Sequence, residues 1–79
     1  MEKDEVRKRV YSILRSDYNM ELKDNYYLSN DLGMDGLRTV EFIVSIENRF
    51  NIGISDKDME TVHSSTIGEI ISFVHKRIR

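Results

Sequence analysis

The sequence predicts an all-α bundle of four helices with a long first loop and a short third helix. In three separate stretches, apolar residues recur at steps of three and four, the spacing of a helix that buries one face. The chain contains no proline, and no stretch alternates polar and apolar residues as a half-buried strand does. Its 79 residues suffice for one core, so we expect residues 1–79 to form a single domain.

The first helix is predicted from Lys3 to Tyr18, because its apolar side chains keep the helical spacing with basic residues between them: Val6, Val10, Ile13, Leu14 and Tyr18. The stretch from Asn19 to Gly33 loses this period and collects turn-forming Asn, Asp, Ser and Gly. We expect this loop to be held on the core by Tyr27, Leu28 and Leu32. A long loop held in this way is often functional.

The second helix is predicted to begin after Asp35, whose carboxylate is placed to cap it. Its apolar stripe is Leu37, Val40, Ile43, Val44, Ile46 and Phe50. Ser55 followed by Asp58 predicts the cap of a short third helix that extends to about Glu60. The Thr-x-x-Glu spacing at Thr66 predicts a capping box for a fourth helix that runs to the end of the chain, with the apolar stripe Ile67, Ile70, Ile71, Val74 and Ile78.

Composition excludes several classes of protein. The net charge of −2 gives no strong field for nucleic acid, and no aromatic residues are interleaved with a basic stripe. The absence of cysteine excludes disulfides and thiolate metal sites. The amino end is charged, and no apolar run approaches the roughly 20 residues that span a membrane. We therefore expect a cytoplasmic protein without membrane insertion.

One acidic segment has the alternation of a calcium loop, with Asp56, Asp58 and Glu60 in the positions of the first ligands. The sixth position is Thr61 instead of Gly, and the twelfth is Ile67 instead of Glu, so we reject an EF-hand. Weak cation binding there remains an alternative to a solvated helix N-terminus, where the dipole favours acids. No metal centre is predicted.

No enzyme site is predicted either. His63 and His75 have no partners at metal-ligand spacing, so each is expected at the surface or at the core boundary. Ser, His and Asp all occur, but no Gly-x-Ser-x-Gly elbow is present, and a bundle this small has little room for an oxyanion hole.

The stretch from Asp31 to Glu41, Asp-Leu-Gly-Met-Asp-Gly-Leu-Arg-Thr-Val-Glu, resembles the signature of the acyl carrier protein family, Asp-Leu-Gly-x-Asp followed by Ser-Leu. The resemblance covers roughly the last two thirds of the chain and continues through Glu41-Phe42, Ile46-Glu47, Phe50, Ile54-Ser55-Asp56 and Thr66-Ile67. It implies the same four-helix architecture. It also implies a 4′-phosphopantetheine on the serine, whose thiol carries acyl groups as thioesters among biosynthetic enzymes.

The residue that matches the attachment serine is Gly36, between Asp35 and Leu37, and glycine has no hydroxyl to form the phosphoester. Thr39 is the nearest downstream hydroxyl, but it lies almost a full turn into the helix, where it is not expected to substitute. Two interpretations remain: an engineered or accidental replacement in a working carrier, or a natural member that has given up the prosthetic group. The second would be an interaction module that works without a cofactor.

By resemblance, the partners are a phosphopantetheinyl transferase and the synthases and transferases of fatty-acid or polyketide synthesis. The residues predicted to bind them are Leu37, Arg38, Val40, Glu41 and Glu47, and an acid on the partner is expected opposite Arg38. Four residues are candidates to line an acyl cavity, with plain core as the alternative: Ile46, Ile54, Met59 and Val62. A monomer is expected, since the polar helix faces show no dimer seam.

Overall fold

The computed structural model describes residues 1–78 and confirms the all-α bundle. The four helices are α1 (Lys3–Arg15), α2 (Gly36–Phe50), α3 (Asp56–His63) and α4 (Ile67–Arg77). Helix α1 packs against both α2 and α4, and α3 packs against α2. No helix within residues 1–78 combines the length and the apolar character needed to cross a membrane.

The helix starts lie where the capping residues place them. The Asp35 carboxylate accepts a hydrogen bond from the amide of Arg38 at 2.8 Å, which confirms it as the N-cap of α2. Reciprocal capping boxes begin the last two helices, from Ser55 for α3 and from Thr66 for α4. Helix α2 ends at Phe50, and its C-cap Asn51 has a left-handed backbone, a conformation that asparagine tolerates better than most residues.

The helix ends differ from the sequence prediction. Helix α1 ends at Arg15 instead of Tyr18, because the Ser16 hydroxyl donates to the carbonyl of Ile13 at 2.7 Å where the chain leaves the helix. Helix α3 continues to His63, beyond the predicted end at Glu60. Helix α4 ends at Arg77; Arg79, within the predicted helix, lies outside the described residues.

One hydrophobic core joins the four helices and the loop between α1 and α2. The loop contributes four buried side chains to it: Leu22, Leu28, Leu32 and Met34. The prediction for Tyr27 was wrong, because its side chain is 44% exposed and its backbone instead pairs with Thr66 at the start of α4. Tyr27 and Leu28 are adjacent in a turn, so only one of the two side chains faces the core.

Asp24 ties the same loop to two helices. Its carboxylate accepts hydrogen bonds from Arg7 at 2.9 Å and from the Tyr11 hydroxyl at 2.5 Å, and its carbonyl accepts one from the amide of Gly68 at 2.8 Å. The bond from Tyr11, supported by Arg7, lowers the pKa of Asp24. Burial, together with the bond to Asp24, raises the pKa of Tyr11 to about 12.

Candidate functional site

The N-terminus of α2 is the place where the family signature puts its modified residue. Gly36 is the first residue of the helix and is exposed. A Cβ built on it would meet no other atom within 4 Å, so the surrounding structure does not require glycine there. The first amides of the helix have no intrahelical partner, and the dipole makes this end positive. Space and polarity for a phosphate are therefore present, but an oxygen to carry it is missing.

Thr39 does not supply that oxygen. Its side chain is buried, and its hydroxyl donates to the carbonyl of Asp35 at 2.8 Å. The same oxygen lies 2.8 Å from Nδ1 of His63 on α3. A hydroxyl that is enclosed and engaged on two sides is not open to an external phosphate donor. As written, the residues around the start of α2 do not fit a phosphopantetheine ester.

An exposed apolar strip begins beside Gly36. Leu37 is 71% exposed, Val40 43% and Val44 47%, and their spacing of three and four places them along one side of α2. With the exposed charges Arg38 and Glu41 they form what we call the α2 face. The α2 face is thus apolar along its centre, with both signs of charge beside it.

Glu47 does not belong to the α2 face. It is half-buried, and its carboxylate accepts a hydrogen bond from the amide of Ile54 at 2.9 Å. This contact holds the segment between α2 and α3 against the helix. The structure therefore separates two acids, Glu41 and Glu47, that the sequence assigned to the same partner-binding set.

A groove of about 270 Å³ opens between α2 and α3 beside Gly36. Its walls, which define the α2–α3 groove, are Gly36, Thr39, Val40, Ile43, Met59, Glu60 and His63. Of the four predicted cavity residues, only Met59 lines it. Ile46 and Val62 are buried in the core, and Ile54 packs against that core. An acyl cavity made by all four together remains a prediction.

Sequence reasoning missed the pairing of Thr39 with His63. The helical spacing of Gly36, Thr39 and Ile43 places these residues on the side of α2 that packs against α3. That spacing carries no information about which residue of α3 faces them. His63 was assigned only to the surface or the core boundary, and its half-buried position in the groove fits the boundary.

The acidic start of α3 is occupied by structural contacts. The Asp58 carboxylate accepts hydrogen bonds from the Ser55 hydroxyl at 2.9 Å and from Arg77 at 3.1 Å. The bond from Ser55 is the main cause that lowers the pKa of Asp58. Within residues 1–78, no three His, Cys, Asp or Glu side chains are grouped so that they could hold a metal ion.

Comparison with known proteins shows that this sequence is similar to carrier proteins. Residues 8–74 match the family model described as "Phosphopantetheine attachment site". An acyl carrier protein of Chlorobium phaeobacteroides is 34% identical over 80 aligned residues, covering 98% of this chain and 100% of that protein. An acyl carrier protein of Cyanidium caldarium is 38% identical, covering 96% and 90%.

A mitochondrial acyl carrier protein of Neurospora crassa is also similar, with 37% identity over 68 residues. It covers 81% of this chain and 51% of the longer fungal protein. These similarities include α1 and are therefore wider than the last two thirds of the chain that carried the resemblance in sequence.

Proposed function

Because this chain belongs to the acyl carrier protein family, we propose that its α2 face docks on enzymes that make and consume acyl thioesters. Members of the family carry a group on phosphopantetheine and are not enzymes themselves, so this chain is a carrier protein by family. The proposal adds that the chain keeps the carrier surface while Gly36 leaves it without the attachment hydroxyl. Its partners would be a phosphopantetheinyl transferase and acyl-processing synthases and transferases.

The observation that carries the proposal is the surface that begins at Gly36. A helix start with space for a phosphate, capped by Asp35, is followed directly by the exposed strip of Leu37, Val40 and Val44. Soluble domains seldom expose several large apolar side chains in a row without a binding role. A partner that covered this strip would also contact the helix start at position 36.

The test is to restore the missing oxygen. In Gly36→Ser, the serine hydroxyl should lose its proton and attack the pyrophosphate phosphorus that bears pantetheine in coenzyme A, forming the phosphoester while adenosine 3′,5′-bisphosphate leaves. We expect intact-protein mass spectrometry to show one added phosphopantetheine after incubation with coenzyme A, magnesium and a broad-specificity transferase. The space around Gly36 accommodates the new side chain.

Three controls make this test specific. The parent chain and Gly36→Ala should remain unmodified, and Gly36→Ser combined with Thr39→Val should be modified as fully as Gly36→Ser alone. Modification of the parent would show that another residue accepts the group. If folded Gly36→Ser stays unmodified with several transferases, the carrier proposal is wrong for this surface.

The absent hydroxyl also favours a second function, an interaction module that uses the α2 face without any prosthetic group. The two functions differ in what the enzyme partner recognises. A module should bind a synthase equally well as the parent chain and as loaded Gly36→Ser, whereas a carrier should bind more tightly when loaded. Isothermal titration of both forms with the same synthase distinguishes them.

A further inference from the structure

The pairing of Thr39 with His63 determines which imidazole nitrogen has a free lone pair. A threonine hydroxyl has one hydrogen, and that of Thr39 is given to the carbonyl of Asp35. The contact of 2.8 Å between the Thr39 oxygen and Nδ1 of His63 is therefore a bond in which Nδ1–H donates. In a neutral imidazole, this leaves Nε2 without a proton, which is the state in which a histidine nitrogen binds metal.

Nε2 of His63 is accessible. Among the described residues, the only side-chain hydrogen bond of His63 is the one made by Nδ1. No buried side-chain nitrogen or oxygen within residues 1–78 lacks a partner, so Nε2 is not enclosed in the protein. His63 is itself one of the walls of the α2–α3 groove.

A carboxylate lies one turn earlier on α3. Glu60 is exposed and lines the same groove, and within residues 1–78 its side chain makes no hydrogen bond or ion pair. Side chains three positions apart on a helix have Cβ atoms about 5–6 Å apart, so Glu60 and His63 can reach one ion. Glu-x-x-His is a spacing by which helices present a carboxylate and an imidazole to a metal. On its own this spacing is half of a site, and the structure adds an imidazole that is already oriented.

We propose that Glu60 and His63 bind a divalent transition-metal ion such as Zn²⁺, with the Glu60 carboxylate and Nε2 of His63 as the two protein ligands and water completing the coordination. Thr39 is the positioning residue, since metal-binding histidines nearly always donate their other N–H to a fixed acceptor. Two ligands make an open site, which agrees with the absence of any group of three His, Cys, Asp or Glu within residues 1–78 that could hold a metal ion. The site needs no group at position 36.

The donor set and the charge of the groove determine which metal would bind. Imidazole suits Zn²⁺, Cu²⁺ and Ni²⁺, whereas Mg²⁺ and Ca²⁺ take oxygen ligands. Among the described residues no Lys or Arg lines the α2–α3 groove, so the carboxylate of Glu60 faces no competing cation there. The acidic start of α3 differs in both respects, because it offers only oxygen ligands and Asp58 is paired with Arg77. Preference for Zn²⁺ over Mg²⁺ therefore distinguishes the two sites.

Nitrogen-15 spectra of the imidazoles test which atom binds. At about pH 7.5, where an imidazole is ordinarily neutral, His63 of the parent protein should carry its proton on Nδ1. Added Zn²⁺ should shift the Nε2 signal while Nδ1 stays protonated. His75→Gln assigns the two histidines, since the chain has no others. A parent spectrum with the proton on Nε2, or a Zn²⁺-induced shift at Nδ1 instead of Nε2, overturns the proposal.

Isothermal titration with Zn²⁺ at the same pH tests the ligands and the positioning residue. Loss of the hydrogen bond behind a metal-binding histidine weakens metal affinity by about 10–100-fold. Thr39→Val should therefore raise the dissociation constant for Zn²⁺ by about tenfold, and Thr39→Ser, which keeps the hydroxyl, should bind like the parent. His63→Gln and Glu60→Gln each remove a ligand and should weaken binding at least as much as Thr39→Val.

Two matched controls remove the same groups outside the α2–α3 groove. His75→Gln and Asp56→Asn should each bind Zn²⁺ like the parent. Glu60 is exposed, so Glu60→Gln serves if His63→Gln does not fold. Absence of Zn²⁺ binding by the parent, unchanged binding in folded Glu60→Gln or His63→Gln, or equal affinity for Mg²⁺ and Zn²⁺ overturns the proposal. No transferase or prosthetic group takes part, so these results do not depend on the carrier function.

Discussion

Two glycines near helix starts occupy opposite surroundings. Gly68, the second residue of α4, lies so close to the loop that an added Cβ would stand 3.2 Å from the carbonyl oxygen of Asp24. Gly36, the first residue of α2, has nothing within 4 Å of the same added atom. Packing therefore explains the glycine at position 68, and nothing in the structure explains the glycine at position 36. The start of α4 is therefore packed tightly against the loop, whereas the start of α2 is open.

Valine substitutions at Gly68 and Gly36 test this difference in packing most directly. Both glycines lie in the first turn of their helix, so the change in helix propensity from glycine to valine is similar at the two positions, and the difference between the variants reports the close approach. Gly68→Val should lower the free energy of unfolding by about 1–3 kcal/mol, because the loop must move away from α4. Gly36→Val should change it by less than about 0.5 kcal/mol. Urea unfolding followed by circular dichroism measures both, and equal losses would contradict the contrast.

Removing the charge of Asp24 should have the next largest effect. Asp24→Asn weakens the contacts with Arg7 and Tyr11, and we expect a loss of about 1–2 kcal/mol at pH 7, reduced from the full value because the Asp24 side chain is 41% exposed. The folded-state pKa of Asp24 is lowered. Its contribution is therefore present above the unfolded-state pKa of about 3.9 and is lost as pH falls through the folded-state value.

Urea midpoints measured from pH 7 down to pH 2 check this sign. The parent and Asp24→Asn should differ at pH 7 and converge as the pH falls below about 3.9. Asp17→Asn is the matched control, because Asp17 makes no side-chain hydrogen bond within the described chain, and it should follow the parent throughout. A difference in urea midpoint between the parent and Asp24→Asn that stayed constant with pH would mean that the carboxylate charge contributes nothing to stability.

The helix starts could be predicted because a cap is a local feature of sequence. Asp35, Ser55 and Thr66 each satisfy the amide three residues further along the chain, so spacing alone identifies them. The carrier signature was likewise recognisable because it lies within one continuous stretch that ends at Glu41. The burial of Tyr27 was predicted wrongly, because helical periodicity does not say which side chain of a turn faces the core.

The contacts that could not be predicted join elements distant in sequence. Asp24 meets Arg7 and Gly68, and Thr39 meets His63 across 24 positions. Each of these contacts depends on how the helices pack, so no local sequence pattern predicts it. The candidate site shows the same division, since position 36 was found from sequence and the imidazole beside it was not.

The smallest expected effect on the free energy of unfolding distinguishes Glu47 from Glu41. The two acids are six positions apart, or about 240° around the helix, so they do not face the same partner. Glu47→Lys should cost about 1 kcal/mol of unfolding free energy, because the amide of Ile54 loses its acceptor. Glu47→Gln retains an acceptor oxygen and should recover most of that loss. Glu41→Lys, on an exposed position, should leave the unfolding free energy within about 0.5 kcal/mol of the parent.

For binding to a partner enzyme we expect the opposite order, with the larger effect at Glu41. Glu41→Lys should weaken binding to an acyl-processing synthase, and the parent affinity should fall as salt rises, because charges at the rim of a docking surface act through screened electrostatics. Glu47→Gln should bind like the parent, since Glu47 lies off the α2 face and its charge is engaged with the backbone. Titrations at low and high salt measure both. If Glu47→Gln weakens binding and Glu41→Lys does not, the partner approaches from the end of α2 near α3, and the docking surface is not the one that begins at Gly36.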